Sequence, residues 1–212
     1  MMSSRPPVLL PAVVVLPVKP PSVGKSRLVD VPVPRHELAA AFALDTATAV
    51  LATPGVVGLL AVTDDHLFAE QLAAVGCTVV PDPLDGDLNG TLRQGAADAC
   101  RRWPGSVPVA LCADLPALRS ADLAEALAVV CRRDLPSYVA DADGTGTTLY
   151  AAPLAEFDPR FGPGSAAAHA DSGALAVPGA LPSLRHDVDD AAALVGAVAL
   201  GAGPRTSALL RR

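Results

Sequence analysis

Short apolar runs alternate with amphipathic segments along most of this chain. The runs that predict strands are Val8 to Val18, Val56 to Val62, Cys77 to Val80, the start of Val107 to Leu118, Ser137 to Ala140 and a segment from about Thr148. The segments that predict helices cover 36–51, 66–75, 91–103 and 122–133. This alternation is typical of βαβ units. We therefore expect one α/β domain over residues 1–212, with a mainly parallel central sheet flanked by helices and a loose tail at 204–212.

The run Val107 to Leu118 is the centre of this pattern, because it ends in a single acid, Asp114, followed by Leu-Pro. In open α/β sheets, ligands bind beyond the carboxyl ends of the strands. An acid at that position faces the binding crevice and can hold a metal. A simpler role is also open, since Asp114 could cap the helix that begins near Ser120 or close a turn with Pro116.

A second group of acids lies far downstream. The stretch Leu184 to Asp189 is predicted to be a strand whose alternation sends Asp187 and Asp189 to one face and Val188 to the other. Two carboxylates on one side of a strand end repel each other unless a cation lies between them. With Asp114 they predict a metal site, although Asp189 or Asp190 also suits the cap of the last helix.

Composition narrows the class of protein. The net charge is −6 and the chain has no run rich in Lys or Arg, which argues against a nucleic-acid partner. The longest apolar run at the start falls short of the roughly 20 residues of a membrane span, so we expect no membrane partner. The cysteines lack CxxC spacing, which favours free thiols and a cytoplasmic location. They are Cys77, Cys100, Cys112 and Cys131.

The first strand leads into a basic loop that contains Lys19, Lys25 and Arg27. Gly24-Lys25-Ser26 is not a Walker A motif, because the position five residues before Gly24 is a lysine. This excludes a P-loop kinase or ATPase. Either the loop is a solvated basic segment, or its cations contact the phosphates of a nucleotide, as the position after a strand favours.

Three more loops carry polar groups that suit a ligand. Asn89 lies in a loop at 82–89, where it or Asp87 could instead cap the next helix. Gly144 to Thr147 offers close backbone approach and Thr hydroxyl and amide donors, although a hairpin turn uses the same residues. Ser165 is placed to cap an Ala-rich helix and to help bind an anion. That helix contains His169, which we interpret as structural rather than as a base.

These segments together resemble the guanylyltransferases of coenzyme F-420 biosynthesis, which act on phosphoenolpyruvate or 2-phospho-L-lactate. The resemblance spans nearly the whole chain and rests on the order and spacing of many short motifs. They are VK……KSRL (Lys19, Lys25, Arg27), DPLDGDLN (82–89), ADLPAL (113–118), DGTGTT (143–148), RFGPGS (160–165), HADSGA and LRHDVD.

The resemblance implies a single-domain, Rossmann-like nucleotidyltransferase fold of the GT-A-like type, with Mg²⁺ as cofactor. It implies GTP and a small phosphorylated three-carbon acid as substrates, and a downstream transferase of the pathway as a further partner. Asp114, Asp187 and Asp189 match the family's catalytic, metal-binding acids. Thr147, Gly162 and Ser165 match the positions that hold the acid. Lys19, Lys25 and Arg27 match the segment near the nucleotide phosphates, and Asn89 the loop near the nucleoside.

The resemblance favours phosphoenolpyruvate as the acceptor, with 2-phospho-L-lactate and 3-phosphoglycerate as alternatives that differ by a double bond or a hydroxyl position. Another small nucleotidyltransferase is the next hypothesis, but its first loop would be rich in glycine. A non-catalytic nucleotide-binding protein on the same fold is the alternative from another class. Loss of one of the three aspartates would have favoured that alternative, and all three are present.

Overall fold

The computed structural model describes residues 10–21, 28, 31–82, 84, 86–133 and 135–212. The strands are β1 Ala12–Pro17, β2 Val56–Val62, β3 Thr78–Val80, β4 Val107–Leu111, β5 Ser137–Ala140, β6 Thr147–Ala151 and β7 Leu175–Ala176. The α-helices are α1 Arg35–Leu51, α2 His66–Ala74, α3 Leu88–Arg102, α4 Ser120–Arg133, α5 Ser165–Asp171, α6 Ala191–Leu200 and α7 Pro204–Leu210. A short 3₁₀ turn covers Leu154–Glu156.

The strands of the described chain form one seven-stranded sheet in the order β3-β2-β1-β4-β6-β5-β7. Strands β1 to β4 pair in parallel, and β7 is parallel to β5. Only β6 runs antiparallel to its neighbours β4 and β5 among these strands. The predicted single α/β domain with a mainly parallel sheet is therefore confirmed.

The apolar runs become central strands because both faces of the sheet are covered. In β1, Val14 and Leu16 pack in a core beneath α1 and α4, whereas Val13 and Val15 pack in a core beneath α3. All four side chains are fully buried. Gly95 lets α3 approach closely, since a Cβ at that position would lie 2.7 Å from Val15 Cγ1.

Aspartates set the starts of several helices. Asp65 accepts the N–H of Phe68 at the start of α2, and Asp190 accepts the N–H of Ala193 at the start of α6. Asp87 accepts the N–H of Gly90, so α3 begins at Leu88, three residues before the predicted start. Of the alternatives left open for these caps, Asp87 and Asp190 are the residues used.

Two predictions of local structure are wrong. The segment 184–189 forms no strand. It begins in a turn at Leu184, and its later backbone bonds reach loop residues: the Val188 N–H donates to the Asp114 carbonyl, and the Arg185 carbonyl accepts from the Ala142 N–H. The tail at 204–212 is not loose. Its helix α7 packs against α1, where the backbone N–H groups of Arg205 and Thr206 donate to the buried carboxylate of Asp45.

The state of the cysteines agrees with the prediction of free thiols. All four cysteines are free, and burial raises the pKa of the Cys77 and Cys131 thiols to about 11.

In the described part of the chain, no single helix has the length and apolar character to cross a membrane. The bent pair formed by α6 and α7 meets that test only jointly, by length and composition.

Candidate functional site

The candidate site lies at the sheet edge where the parallel strands end. The chain passes from β1 to β2 and β3 on one side, while β4 pairs on the other side of β1. Such a reversal of strand order opens a crevice beyond the carboxyl ends of the strands. Lys19 follows β1, Asp114 follows β4, and Thr147 begins the antiparallel β6 at the same edge.

Asp114, Asp187 and Asp189 come together at this edge. Each offers a carboxylate oxygen, and these oxygens all lie within 4.8 Å of one another. Asp114 and Asp187 are half-buried, and Asp189 is exposed. The structure thus joins the three acids that the sequence proposed as a metal site, although β4 ends at Leu111, three residues before Asp114.

The surroundings of Asp187 make its negative charge costly without a cation. Burial, together with the nearby charges of Asp114 and Asp189, raises the pKa of this carboxyl to about 7. Three carboxylates spaced to share one ion, together with a charge that burial disfavours, fit a hard divalent cation with oxygen ligands such as Mg²⁺.

The backbone around Asp114 is fixed from two directions. Thr46, buried on α1, donates to the Ala113 carbonyl at 3.2 Å and accepts from the Leu115 N–H at 3.1 Å. The Val188 N–H donates to the Asp114 carbonyl at 3.0 Å. This last bond joins the two parts of the acid cluster, because Val188 lies between Asp187 and Asp189.

Arg185 anchors the segment that carries the two downstream acids. Its guanidinium donates to the carbonyls of Ala140 at 2.8 Å and Val177 at 3.1 Å, so it connects the ends of β5 and β7. Val188 is fully buried between the half-buried Asp187 and the exposed Asp189. The alternation predicted from the sequence therefore holds, even though the segment is a loop.

The glycine-threonine loop is the hairpin that connects β5 to β6. The Asp141 carboxylate accepts the N–H groups of Thr145 at 2.9 Å and Gly146 at 2.7 Å. A Cβ on Gly146 would lie 2.3 Å from Asp141 Oδ2, so this contact requires glycine. From the sequence we predicted that the Thr145 amide could donate to a ligand. It donates instead to Asp141, within the hairpin.

Hydrogen bonds join the loops that carry the three predicted acceptor positions, Thr147, Gly162 and Ser165. The Ser165 N–H donates to the Gly162 carbonyl at 3.1 Å, and the Ala166 N–H donates to the Thr145 carbonyl in the hairpin. Ser165 is buried and begins α5, but its side chain makes no capping bond. The predicted Ser165 cap is wrong, because Gly164 takes the cap position in the left-handed region, with φ 71°.

His169 is a buried structural residue, as we interpreted it from the sequence. Its ring stacks on Tyr150 and Tyr138, and the edge of Phe161 packs near it. Burial lowers the pKa of His169 to about 4, an effect that a hydrogen bond to the Ser165 backbone partly opposes. Its Nδ1 lies 3.0 Å from Thr147 Oγ1.

Two of the four proposed nucleotide-binding residues, Lys19 and Asn89, lie in the described part of the chain. Lys19 is exposed, two residues beyond β1, whereas Lys25 and Arg27 lie outside the described residues. Asn89 does not cap α3. Its side chain donates to the Phe161 carbonyl at 2.9 Å and accepts the Phe161 N–H at 2.8 Å, so it holds the loop before α5. A contact between Asn89 and a nucleoside remains a prediction.

Sequence reasoning missed Thr46, Asp141 and Arg185. Thr46 lies in an Ala-rich helix, where no local pattern marks a contact with Ala113. Asp141 carried the better signal, because an acid shortly before Gly-Thr-Gly is a common organiser of tight turns.

Bacterial relatives resemble nearly the whole chain. A phosphoenolpyruvate guanylyltransferase from Thermomonospora curvata is 50% identical over 202 residues, which cover 93% of this chain and 88% of that relative. A protein of the same name from Salinispora arenicola is 51% identical over 202 residues, or 92% of each chain. No protein-family model matches the chain.

Solved structures show the same fold at low sequence identity. The 4-diphosphocytidyl-2C-methyl-D-erythritol synthase of Anaerococcus prevotii has a TM-score of 0.61 at 9% identity, covering 90% of this chain and 96% of that one. A CMP:2-keto-3-deoxy-manno-octonic acid synthetase complexed with CTP has a TM-score of 0.54 at 15% identity, covering 89% and 98%. The nucleotidyltransferase fold expected from the sequence is confirmed.

Proposed function

Because the chain belongs to the phosphoenolpyruvate guanylyltransferase family, we propose that it transfers GMP from GTP to phosphoenolpyruvate, as a cytoplasmic step of coenzyme F-420 biosynthesis. Membership of this family makes the chain a nucleotidyltransferase enzyme. The observation that carries the proposal is the cluster of three carboxylates at the crevice of the sheet, with oxygens within 4.8 Å of one another.

The reaction we propose is a displacement at phosphorus. A phosphate oxygen of phosphoenolpyruvate attacks the α-phosphorus of GTP, and a new phosphoanhydride bond forms. The bond from the α-phosphorus to the oxygen that bridges to the β-phosphate breaks, and pyrophosphate leaves with that electron pair. Since the second pKa of a phosphate monoester is about 6, the attacking oxygen is already ionised near neutral pH. No side chain is required as a general base.

Asp114, Asp187 and Asp189 would hold Mg²⁺ in this site. When bound, Mg²⁺ would neutralise charge on the α-phosphate and on the departing pyrophosphate. The carboxylates would keep the ion at the end of β4, because Thr46 and the Val188 N–H fix the backbone that carries Asp114. The short spacing of the oxygens supports this assignment.

The two substrates would lie on opposite sides of the acid cluster. Lys19, with Lys25 and Arg27, would steady the triphosphate after β1, and Asn89 would lie near the nucleoside. Thr147, Gly162 and Ser165 would hold the phosphorylated acid. Support for the acceptor side comes from the hydrogen bonds that join these residues' loops, namely Ser165 to Gly162 and Ala166 to Thr145.

The test is pyrophosphate release by the purified protein with GTP and Mg²⁺. Phosphoenolpyruvate, 2-phospho-L-lactate and 3-phosphoglycerate are offered separately, and each GMP conjugate is identified by mass. We expect release with phosphoenolpyruvate and a product that contains GMP joined to it. Pyrophosphate release only with another acid would show that this acid, and not phosphoenolpyruvate, is the acceptor. No release with any of the three, in a folded protein that binds GTP, would refute the proposed reaction.

A further inference from the structure

The hydrogen bonds of His169 determine which of its ring nitrogens carries the proton. The backbone N–H of Arg160 donates to Nε2 at 2.9 Å, so Nε2 must present a lone pair. A neutral imidazole has one N–H, which is then on Nδ1. Nδ1 lies 3.0 Å from Thr147 Oγ1, so the ring donates and the Thr147 oxygen accepts, with the Ser165 backbone as a second acceptor of the same N–H.

This assignment decides what the Thr147 hydroxyl can do. A threonine hydroxyl has one proton to donate and an oxygen that accepts. Because the oxygen of Thr147 is occupied by the His169 N–H, its own proton is directed away from the ring. Thr147 is also buried, at 5% exposure, which limits competition from water. In the opposite tautomer, Nδ1 would have no proton, and the Thr147 hydroxyl would donate to it.

We propose that His169 is a positioning residue of the acceptor site, which turns the Thr147 hydroxyl into a donor to an anionic oxygen of the phosphorylated acid. This inference rests on the proposed function, because it needs Thr147 to contact that acid. His169 itself contacts no substrate. Its effect on the acid passes through its hydrogen bond to Thr147, while its bonds to the Arg160 and Ser165 backbone hold the ring in place.

The packing around the ring prevents a flip that would reverse the roles of the two nitrogens. The ring is fully buried and lies 4.7 Å from the Tyr150 ring and 5.7 Å from the Tyr138 ring, with both pairs stacked. Phe161 closes the edge, and the Phe161 backbone is held on both sides by Asn89. The Arg160 N–H, next to Phe161 in the chain, is therefore a fixed donor to Nε2.

Two amide substitutions test the hydrogen bonds of the two ring nitrogens separately. In His169→Asn, the side-chain amide lies near the position of Nδ1, so its N–H₂ can still donate to Thr147. In His169→Gln, the amide reaches the position of Nε2, so its oxygen can accept from Arg160 while Thr147 loses its donor. Both variants remove the aromatic ring, so each controls for that loss in the other.

The expected result is a selective change in the KM for phosphoenolpyruvate. His169→Gln should raise this KM by about tenfold, the effect of one hydrogen bond, with little change in the KM for GTP. His169→Asn should remain near wild type. In a Thr147→Val background, His169→Gln should cause no further rise, because the bond is already absent. Equal effects of Asn and Gln, or additive effects with Thr147→Val, would overturn the inference.

The tautomer is measured without any substrate. In a long-range ¹H–¹⁵N spectrum of the histidine rings, the His169 signals are identified by their loss in His169→Gln. We expect a protonated Nδ1 and an unprotonated Nε2 at pH 7, and a protonated Nε2 would overturn the inference. Failure of the proposed function is seen separately, in wild-type protein that joins GMP to none of the acids. Turnover by the wild type with an additive cycle would refute the His169 role alone.

Discussion

Thr46 accepts a hydrogen bond from the Leu115 N–H at 3.1 Å, one residue after the acid that ends the central strand. The same hydroxyl donates to the Ala113 carbonyl, one residue before that acid. One side chain of α1 therefore spans Asp114 and fixes its backbone on both sides. The carboxylate of Asp114 is placed by the helix layer as well as by β4.

Thr46→Val should weaken the acid cluster while leaving its three carboxylates in the sequence. The variant leaves the buried Leu115 N–H without its partner, at a cost of about 1–3 kcal/mol in the free energy of unfolding. We expect the affinity for Mn²⁺, measured by electron paramagnetic resonance as a stand-in for Mg²⁺, to fall by about tenfold. Thr46→Ser keeps the hydroxyl and should restore it. Equal Mn²⁺ affinity in the Val and Ser variants would contradict this role.

Asn89→Ala tests whether this residue acts on the nucleotide or on the acceptor loop. The side chain makes two hydrogen bonds to the backbone of Phe161. If its main role is to hold that loop, the variant should raise the KM for phosphoenolpyruvate by about tenfold and change the KM for GTP less. Steady-state kinetics with each substrate varied in turn make the measurement. A rise confined to GTP would favour the nucleoside contact predicted from the sequence.

The stability of the protein should depend on pH through His169. Burial lowers the pKa of the native ring to about 4, whereas an unfolded histidine has a pKa of about 6.5. Between these values the unfolded chain binds more protons. The contribution of His169 is therefore complete above the unfolded pKa and is lost as pH falls, by up to about 1.4 kcal/mol per pH unit.

His169→Gln removes this titration and serves as the reference. We expect the difference in the free energy of unfolding between wild type and variant to shrink when urea unfolding is measured at pH 5 instead of pH 7. A difference that is the same at both pH values would show that the native ring takes up a proton as readily as the unfolded one.

Asp45 should be important for the docking of α7. Its carboxylate is buried and accepts the N–H groups of Arg205 and Thr206. Asp45→Asn replaces one accepting oxygen by an N–H₂ group, so we expect urea unfolding to show a loss of about 2 kcal/mol. Glu37→Gln is the control, because it breaks an ion pair with the exposed Arg212 and removes one charge from the first turn of α1, which together should cost under about 1 kcal/mol. Equal losses would refute the role of Asp45.

The sequence was most informative where local pattern and chemistry agreed. An apolar run followed by one acid located Asp114 at the sheet edge, and the alternation of acids around Val188 located Asp187 and Asp189 on one side. The contact that orders Asp114 could not be predicted in this way. Thr46 and Leu115 are 69 positions apart, and their contact depends on how α1 packs on the sheet.

The wrong predictions of local structure arise because the local pattern does not reveal which other parts of the chain a segment contacts. Alternation at 184–189 predicted a strand, but a strand needs a neighbouring strand to pair with, and this segment begins in a turn and bonds to loops. Ser165 resembled a helix cap, but Gly164 precedes it with the left-handed backbone that ends the loop. The tail was predicted to be loose because its partner, Asp45, lies far away in the sequence.

Pyrophosphate release by Asp187→Asn, compared with wild type and with Asp190→Asn, tests the central claim most directly. Asp190 is nearby in the chain, but it caps α6, a role that asparagine also fills. With GTP, Mg²⁺ and phosphoenolpyruvate, we expect Asp187→Asn to lose about a thousandfold in rate while Asp190→Asn stays near wild type. Circular dichroism checks that both variants fold. A folded Asp187→Asn protein that turns over like wild type would contradict the assignment of the three carboxylates as the reactive centre.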